Sequence, residues 1–301
     1  MRNRLSIQRI MTLSVLLRAL CTCFLAASVT VIAQNRAIVV KNSLIIDGTG
    51  RSAFKADVRI QNGKIVRIGK IKISTDDEMV DGTGLILAPG FIDIHNHSES
   101  GLVREGTAAN QVSQGLTTLI VGPDGGSPFP LSEYFSKLDD KIAVNVGAFI
   151  GHATLREQVM KDDYLRKATD TEIAAMQKLL EQAMREGAFG LSSGLEYDVG
   201  FSASTEELIA LAKVAAKYGG VYMTHMRDEE EGMLDALREA TRIGREAKIP
   251  VQISHIKMGN SSVWNKSAEA VAIIEEARKA GQDVTADAYP YTAWASTIAV
   301  L

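Results

Sequence analysis

The chain has 301 residues, 46% of them hydrophobic and 23% charged, with a formal net charge of −3. That composition can fill a sizeable core and excludes a disordered chain. No long basic run accompanies the slightly negative charge, which argues against nucleic acid as a partner.

The first element is an expected leader. "MRNRLSIQRI" is a basic head, and residues 19–33, "ALCTCFLAASVTVIA", form a run of 15 without a charge that closes on small residues. A basic head followed by a short apolar stretch predicts a secretory signal peptide over residues 1–33, with an uncleaved anchor as the alternative. The run is shorter than the roughly 20 apolar residues that span a bilayer, so no stable membrane insertion is expected once it is removed. Arg18 interrupts the apolar stretch, which offers Met11 as an alternative start. Cys21 and Cys23 both fall in this segment, and neither follows a lipoprotein cleavage box. The mature chain would then have no disulfide and no thiolate metal ligand. A secreted or periplasmic location is expected.

Residues 34–88 follow as short β-rich pieces, "AIVVKNSLIIDGTG", "KADVRIQNGKIVRIG" and "MVDGTGLILAPG". Their Asp-Gly and Asn-Gly dipeptides predict hairpins, hence a small β-module. From residue 89 the rhythm changes. Apolar runs recur at 90–97, 117–126, 143–152, 187–197, 220–227, 250–257 and 283–291. Between the later runs lie helical patterns, three of which finish at or beside Gly187, Gly219 and Gly281, as helix ends often do. Strands alternating with helices predict a parallel sheet, and seven of them predict a (β/α)8 barrel occupying 89–301.

Five histidines carry the chemistry: His95, His97, His152, His225 and His255. Each falls within one of the strand runs or at its C-terminal end, the face on which barrels build their sites. In "GFIDIHNH" the pair His95 and His97 shares one side of an extended strand, about 7 Å apart at Cα. An ordinary strand would also explain that pair alone. The whole set, a His-x-His on strand one and single histidines on strands five and six, matches what a two-metal hydrolase needs. Neutral imidazoles bind zinc, and a bridging ligand lets two ions sit about 3.5–4 Å apart. Arg227 and Lys257 share the faces of His225 and His255. Asp93 has the parity of the histidine pair and is expected to orient it.

The motifs "GFIDIHNHSE", "QGLTTLIVGPDGGS", "NVGAFIGHATLR", "GAFGLSSGLEYDVG", "YMTHMRDE", "VQISHIK" and "DAYPYTA" resemble, in order, those of the D-aminoacylase (N-acyl-D-amino-acid deacylase) branch of the amidohydrolase superfamily. The resemblance runs from about residue 36 to the end of the chain. It implies a metal-dependent barrel joined to a small β-sandwich whose strands come from both chain ends. It implies Zn2+, one or two ions, with His95 and His97 on one and His225 and His255 on the other. Relatives bridge the metals with a cysteine in a segment like "VGNCG". Here "VGPDGG" places Asp124 at that position, either as a carboxylate bridge or as a turn residue. Lys257 and Tyr289 match positions that hold the substrate's free carboxylate, with a solvated lysine and a packing tyrosine as the plain alternatives.

The implied activity is hydrolysis of the amide of an N-acyl-D-amino acid, a small-molecule substrate, by a metal-activated hydroxide. The superfamily's proton-handling aspartate stands at the end of strand eight, which would lie beyond Leu301, so a fragment of a longer enzyme, inactive by itself, is expected. Asp287 on strand seven has suitable parity but reads as structural, and His152 reads as structural too. Glu196, Asp198 and Arg227 lie near the mouth without an assigned role. Two rival readings stay open at this stage. One is a dihydroorotase- or dipeptidase-like amidase; such enzymes use a carboxylated lysine on strand four, and "GAFGLSSGLEY" has none. The other is a non-catalytic binding protein on a barrel scaffold.

Overall fold

The structure is a computed structural model and describes residues 36–294. The leader expected over residues 1–33, with Cys21 and Cys23, lies outside the described residues. The chain divides into two compact units between Pro89 and Gly90.

The first unit is one mixed sheet of five strands. β1 (Ile38–Ile45), β2 (Phe54–Gln61), β3 (Lys64–Gly69) and β4 (Glu78–Asp81) lie in the order β3-β2-β1-β4, and β5 (Ile86–Leu87) also pairs with β1. Asn62-Gly63 makes a two-residue hairpin between β2 and β3, with both residues at positive φ (52° and 69°), as the twist of paired strands requires. The loop that carries Asp47-Gly48 likewise joins β1 to the antiparallel β2, whereas the hairpin expected at Asp81-Gly82 does not form. β4 and β5 both run parallel to β1, so Asp81-Gly82 is a link between two neighbours of the same strand. A bulge in β1 between Val40 and Ser43 is filled by Asp57, which accepts from Lys41 Nζ (2.6 Å), Asn42 N (3.1 Å) and Ile71 N (2.9 Å). Those three donors hold the Asp57 carboxyl down at about 2.

The second unit contains the seven expected strand runs. β6 (Phe91–Asn96), β7 (Leu116–Val121) and β8 (Asn145–Ala148) pair in that order. β9 (Ile150–Gly151), β10 (Gly190–Gly194), β11 (Val221–His225), β12 (Val251–Ile253) and β13 (Val284–Ala286) pair in sequence order as well. β8 and β9 are one run interrupted at Phe149, whose N–H bonds Val121 O on one side while Ala148 O takes Phe189 N–H on the other. All these pairings are parallel, which is the barrel geometry the alternating pattern predicts. Among the described residues β6 and β13 each pair on one side only.

Helices Asp170–Arg185, Thr205–Lys217, Met233–Ala247 and Ser267–Lys279 fill the four expected helical stretches. Thr169 and Glu172 form a capping box on the first, and Ser204 Oγ caps the second by accepting Glu207 N–H. Their inner stripes, Met176, Leu180, Leu208, Leu211, Leu237 and Ile243, close onto Leu191, Tyr222, Val251 and Ile253 of the strands in one core. Among the described residues no helix is long and apolar enough to cross a membrane.

Candidate metal centre

The parallel strands deliver their polar residues to one end. His95 lies on β6 and His97 just beyond it; Asp124, Glu196, His255 and Asp287 each follow the end of a strand by one to three residues, and His225 is the last residue of β11. Together they line a cavity of about 1530 Å³. A large cleft at the C-terminal ends of parallel strands is where such folds carry their chemistry.

Asp124 is the hub. Its loop leaves β7 at Gly122, whose N–H is held by Glu99 Oε1 at 2.8 Å and whose carbonyl accepts Ser192 Oγ at 2.6 Å. Asp124 itself sits in the left-handed region at φ 56°. The neighbouring strand ends come close because they are glycines: a Cβ at Gly194 would lie 2.3 Å from the Asp124 carbonyl oxygen, and one at Gly151 would lie 2.1 Å from that of Gly125. Asp124 is thus a turn residue and a site residue at once.

Three rings surround one of its oxygens. His95 Nε2 and His97 Nε2 lie 3.2 Å from Asp124 Oδ2, and His255 Nε2 lies 3.4 Å away. His225 Nδ1 is 3.0 Å from His255 Nε2. The structure therefore brings all five expected metal ligands together. His97 is the loosest, its side chain 59% exposed with Asp124 as its partner. Two groupings have donor atoms all within 4.8 Å of one another: His95, Asp124 and His255, and His225, Glu229 and His255.

Sequence reasoning missed Glu229 and Tyr197, and placed Glu196 near the mouth without a role. Glu229 is buried; it accepts from His255 Nδ1 (2.9 Å) and from Lys257 Nζ. Glu196 Oε2 lies 2.6 Å from His225 Nε2, and Tyr197 OH lies 2.9 Å from His225 Nδ1. Glu229 stands four residues after His225 in "HMRDE", and that spacing beside a strand-end histidine was its available signal. Lys257 Nζ is 5.5 Å from the centre of the Tyr289 ring, and Tyr289 OH is buried with no hydrogen-bond partner among the described residues. Both residues expected to meet a substrate carboxylate thus face one region of the cavity.

Other expectations are refined or corrected. Asp93 braces the strand end, accepting His95 N–H (3.1 Å) and Asn96 Nδ2 (2.8 Å). Asp287 accepts His255 N–H (2.6 Å) and Gln252 Nε2 (2.8 Å), and its Oδ1 is 3.7 Å from His95 Nδ1. Arg227 does not share the face of His225. Its guanidinium turns to Glu239 and to the Phe201 and Ala203 carbonyls, because helix Met233–Ala247 brings a carboxylate within 2.8 Å. Asp198 opens the short helix Asp198–Phe201 and does not line the cavity. His152 follows the end of β9 directly and opens helix His152–Met160; its Nε2 meets Glu207 at 2.9 Å beside the fully buried Arg156, which is a structural role.

The electrostatics follow from the clustering. Burial opposes charge on His95 and His255, but hydrogen bonding to Asp124, with Asp287 beside His95 and Glu229 beside His255, lifts their pKa values to about 10 and about 9. Burial works against the Asp124 carboxylate as well, yet the three imidazoles hold it far below the usual range. Negative charge gathered among nitrogen donors attracts cations, and protons are one kind. A divalent ion is another. Asp124 Oδ1 and His95 Nδ1 are buried and have no hydrogen-bond partner among the described residues, while three nitrogens crowd a single oxygen. Imidazole and carboxylate donors are the set that zinc takes, so the residues fit the metal that the resemblance implies.

Comparison with known proteins agrees with this geometry. Residues 78–293 match the sequence profile of the amidohydrolase family. The chain is 39% identical to the D-aminoacylase of Alcaligenes xylosoxydans xylosoxydans over 280 residues, covering 85% of this chain and 57% of that protein. The N-acyl-D-glutamate deacylase of Bordetella bronchiseptica, solved with zinc and a phosphonate mimic of the tetrahedral intermediate, superposes with a TM-score of 0.81 at 34% identity, over 86% of this chain and 59% of that one. A D-aminoacylase studied for its binuclear metal centre superposes at 0.78 with 37% identity, over 84% and 58%. The chain belongs to the amidohydrolase family, with a (β/α)8-type barrel and an N-terminal sheet module. It spans a little over half the length of these relatives.

Proposed function

We propose that this protein is a metal-dependent deacylase that hydrolyses the amide bond of N-acyl-D-amino acids. The observation that carries the reading is the convergence of His95, His97 and His255 on Asp124, with His225 directly behind. In this reading His95, His97, Asp124, His225 and His255 hold one or two zinc ions, and Asp124 takes the bridging place that cysteine has in relatives. When bound, zinc supplies Lewis acidity toward a carbonyl oxygen and lowers the pKa of water.

The chain's own residues do the rest. Lys257 and Tyr289 stand on one flank of the cavity and bind the free carboxylate, fixing which end of the substrate faces the histidines. Asp287, with both oxygens committed to His255 N–H and Gln252, holds the β12 and β13 ends in register. The sheet walls exclude water behind the cluster through Leu119, Val121 and Ile253, all fully buried. The D preference is carried by identity to the named relatives. A cyclic amidase is disfavoured, because β10 offers no lysine to carry a bridging carboxylate.

The test is metal analysis and turnover of the purified protein. N-acetyl-D-amino acids should be hydrolysed, their L forms much less, and zinc content should fall in His225→Ala and His255→Ala. Unchanged metal in both variants would remove the metal reading, and a zinc-loaded protein that cleaves no N-acyl amino acid would leave a binding protein. Export through residues 1–33 belongs to the same proposal and rests on the basic head and uncharged run. N-terminal sequencing of protein from the periplasmic fraction checks it; a mature chain still beginning at Met1 or Met11 would count against it.

A further inference from the structure

Asp124 stands on a loop, and its carboxylate meets three imidazoles only while that loop keeps its place. The turn itself, with Asp124 and Gly125 at φ 56° and 87°, sets a local shape but no position relative to the neighbouring strands. Two side-chain hydroxyls supply the position. Ser192, fully buried on β10, spans the neck of the loop: its Oγ donates to the Gly122 carbonyl at 2.6 Å and accepts Gly125 N–H at 3.2 Å. Thr154, in the first turn of helix His152–Met160, holds the far side. Its Oγ1 accepts Ser127 N–H at 3.0 Å and donates to the Ser127 carbonyl at 3.1 Å, while its own N–H bonds Gly125 O at 3.2 Å. Ser127 Oγ in turn accepts Gly151 N–H at 2.9 Å.

We infer that Ser192 and Thr154 are positioning residues of the metal centre. They fasten the Asp124 loop to β10 and to helix His152–Met160, and so set where the bridging carboxylate stands. The inference rests on the metal reading above and adds what places its hub. Three nitrogens reach one Asp124 oxygen at 3.2, 3.2 and 3.4 Å, a convergence that a small shift of the loop would break. Ligand sets of this kind work when the residues around them hold each donor to within about 0.5 Å.

The plain alternative is that these hydroxyls only satisfy buried backbone groups. The spacing of the groups that Ser192 bonds argues otherwise. Gly122 O and Gly125 N are a carbonyl and an N–H three residues apart, the pair that closes an ordinary β-turn on each other. Here the Ser192 hydroxyl stands between them, using its one proton on the carbonyl and a lone pair on the N–H. The turn needs no serine to be closed; what the serine adds is attachment to β10. Without it the two groups are released to bond each other, and Asp124 moves with the turn. Thr154 acts in the same sense from the helix side, and Gly126, Ser127 and Pro128 of the fastened loop line the cavity beside the histidines.

The test is zinc affinity by competition with a chelator, together with the visible spectrum of the cobalt(II)-loaded protein, which reports ligand geometry. Thr154→Val keeps the shape and loses the hydroxyl; it and Ser192→Ala should each weaken zinc binding by about 10-fold, as loss of outer partners generally does. Thr154→Ser keeps the hydroxyl and should bind nearly as tightly as the unaltered protein, with its cobalt spectrum. A double-mutant cycle separates positioning from mere stability. In an Asp124→Ala background Thr154→Val should cost no further affinity, because the carboxylate it places is gone; a merely structural hydroxyl costs the same in both backgrounds. Equal losses in the two backgrounds overturn the inference, and so does affinity unchanged in both Thr154→Val and Ser192→Ala. Should Ser192→Ala fail to fold, the two Thr154 variants decide. Should Asp124→Ala hold too little zinc to titrate, a cobalt spectrum unmoved by Thr154→Val overturns the inference instead. No substrate is involved, so the outcomes separate cleanly. An unaltered protein that takes up no zinc removes the metal reading and this inference with it, whereas one that binds zinc but cleaves no N-acyl amino acid loses only the substrate assignment.

Discussion

Lys257 and Glu229 form an ion pair at the wall of the cavity, and Glu229 is buried. The ammonium expected to meet a substrate carboxylate therefore already has a carboxylate partner and is held in place before any ligand arrives. A second carboxylate can join it on the open side, since an ammonium has three donors. Charge-assisted contacts of this kind contribute about 1.5–3 kcal/mol. Lys257→Met should accordingly raise KM for N-acetyl amino acids far more than for the matching amides, which lack the carboxylate. An equal loss on both substrates would show that Lys257 serves only Glu229.

Asp124 is expected to fail in two separable ways when replaced. Asp124→Ala removes the oxygen on which three imidazoles converge and should lower both zinc content and turnover. Asp124→Cys restores a ligand at the position where relatives carry cysteine and should recover part of both. Near-normal turnover by Asp124→Ala would reduce the residue to its turn role. Thermal stability separates that role from the chemistry, because the left-handed backbone at φ 56° strains either replacement alike.

The pH dependence has a definite sign. Without an ion, His95 and His255 have pKa values raised to about 10 and about 9. Their raised values contribute stability that is full below about pH 6.5 and is lost as pH climbs through 9 to 10. Zinc needs the same lone pairs and must expel those protons, so its affinity should rise with pH between about 6 and 9. Zinc titrations in buffers of different ionisation enthalpy would report the released protons. A pH-independent affinity would show that the rings are already free.

The buried triad of His152, Arg156 and Glu207 makes a stability prediction away from the cavity. Arg156 donates to both Glu207 oxygens at 2.7 and 2.8 Å and to the Tyr164 and Arg166 carbonyls, fixing the chain that follows helix His152–Met160. Glu207→Ala leaves that guanidinium buried and unpaired, which should cost about 3–5 kcal/mol. Denaturant unfolding checks it. Burial also lowers the His152 pKa, so its share of stability is full above about pH 6.5 and falls as the pH drops below that.

Period and punctuation carried the frame of this protein. Alternating apolar runs placed all seven strands of the second unit, and the glycines at 187, 219 and 281 marked helix ends whose positive φ values (102°, 71° and 87°) the structure contains. Histidine placement was legible for the same reason: a strand end has a known direction, so His95, His225 and His255 had to reach one face of a parallel sheet. The β-module was harder to read, because an Asp-Gly pair marks a turn without saying whether the next strand returns antiparallel or crosses over.

What sequence spacing could not reach lies in the loops beyond the strands, where no period survives. Glu196 and His225 are 29 residues apart, and Glu229 and His255 are 26 apart. Each pair meets only because β10, β11 and β12 lie side by side in parallel register. Arg227 has the parity of His225 yet turns away, because Glu239 on the covering helix supplies a nearer opposite charge. Strand direction is written in local pattern. Which carboxylate stands behind which imidazole is decided by packing between segments distant in sequence, where a buried charge settles on the partner that burial brings within reach.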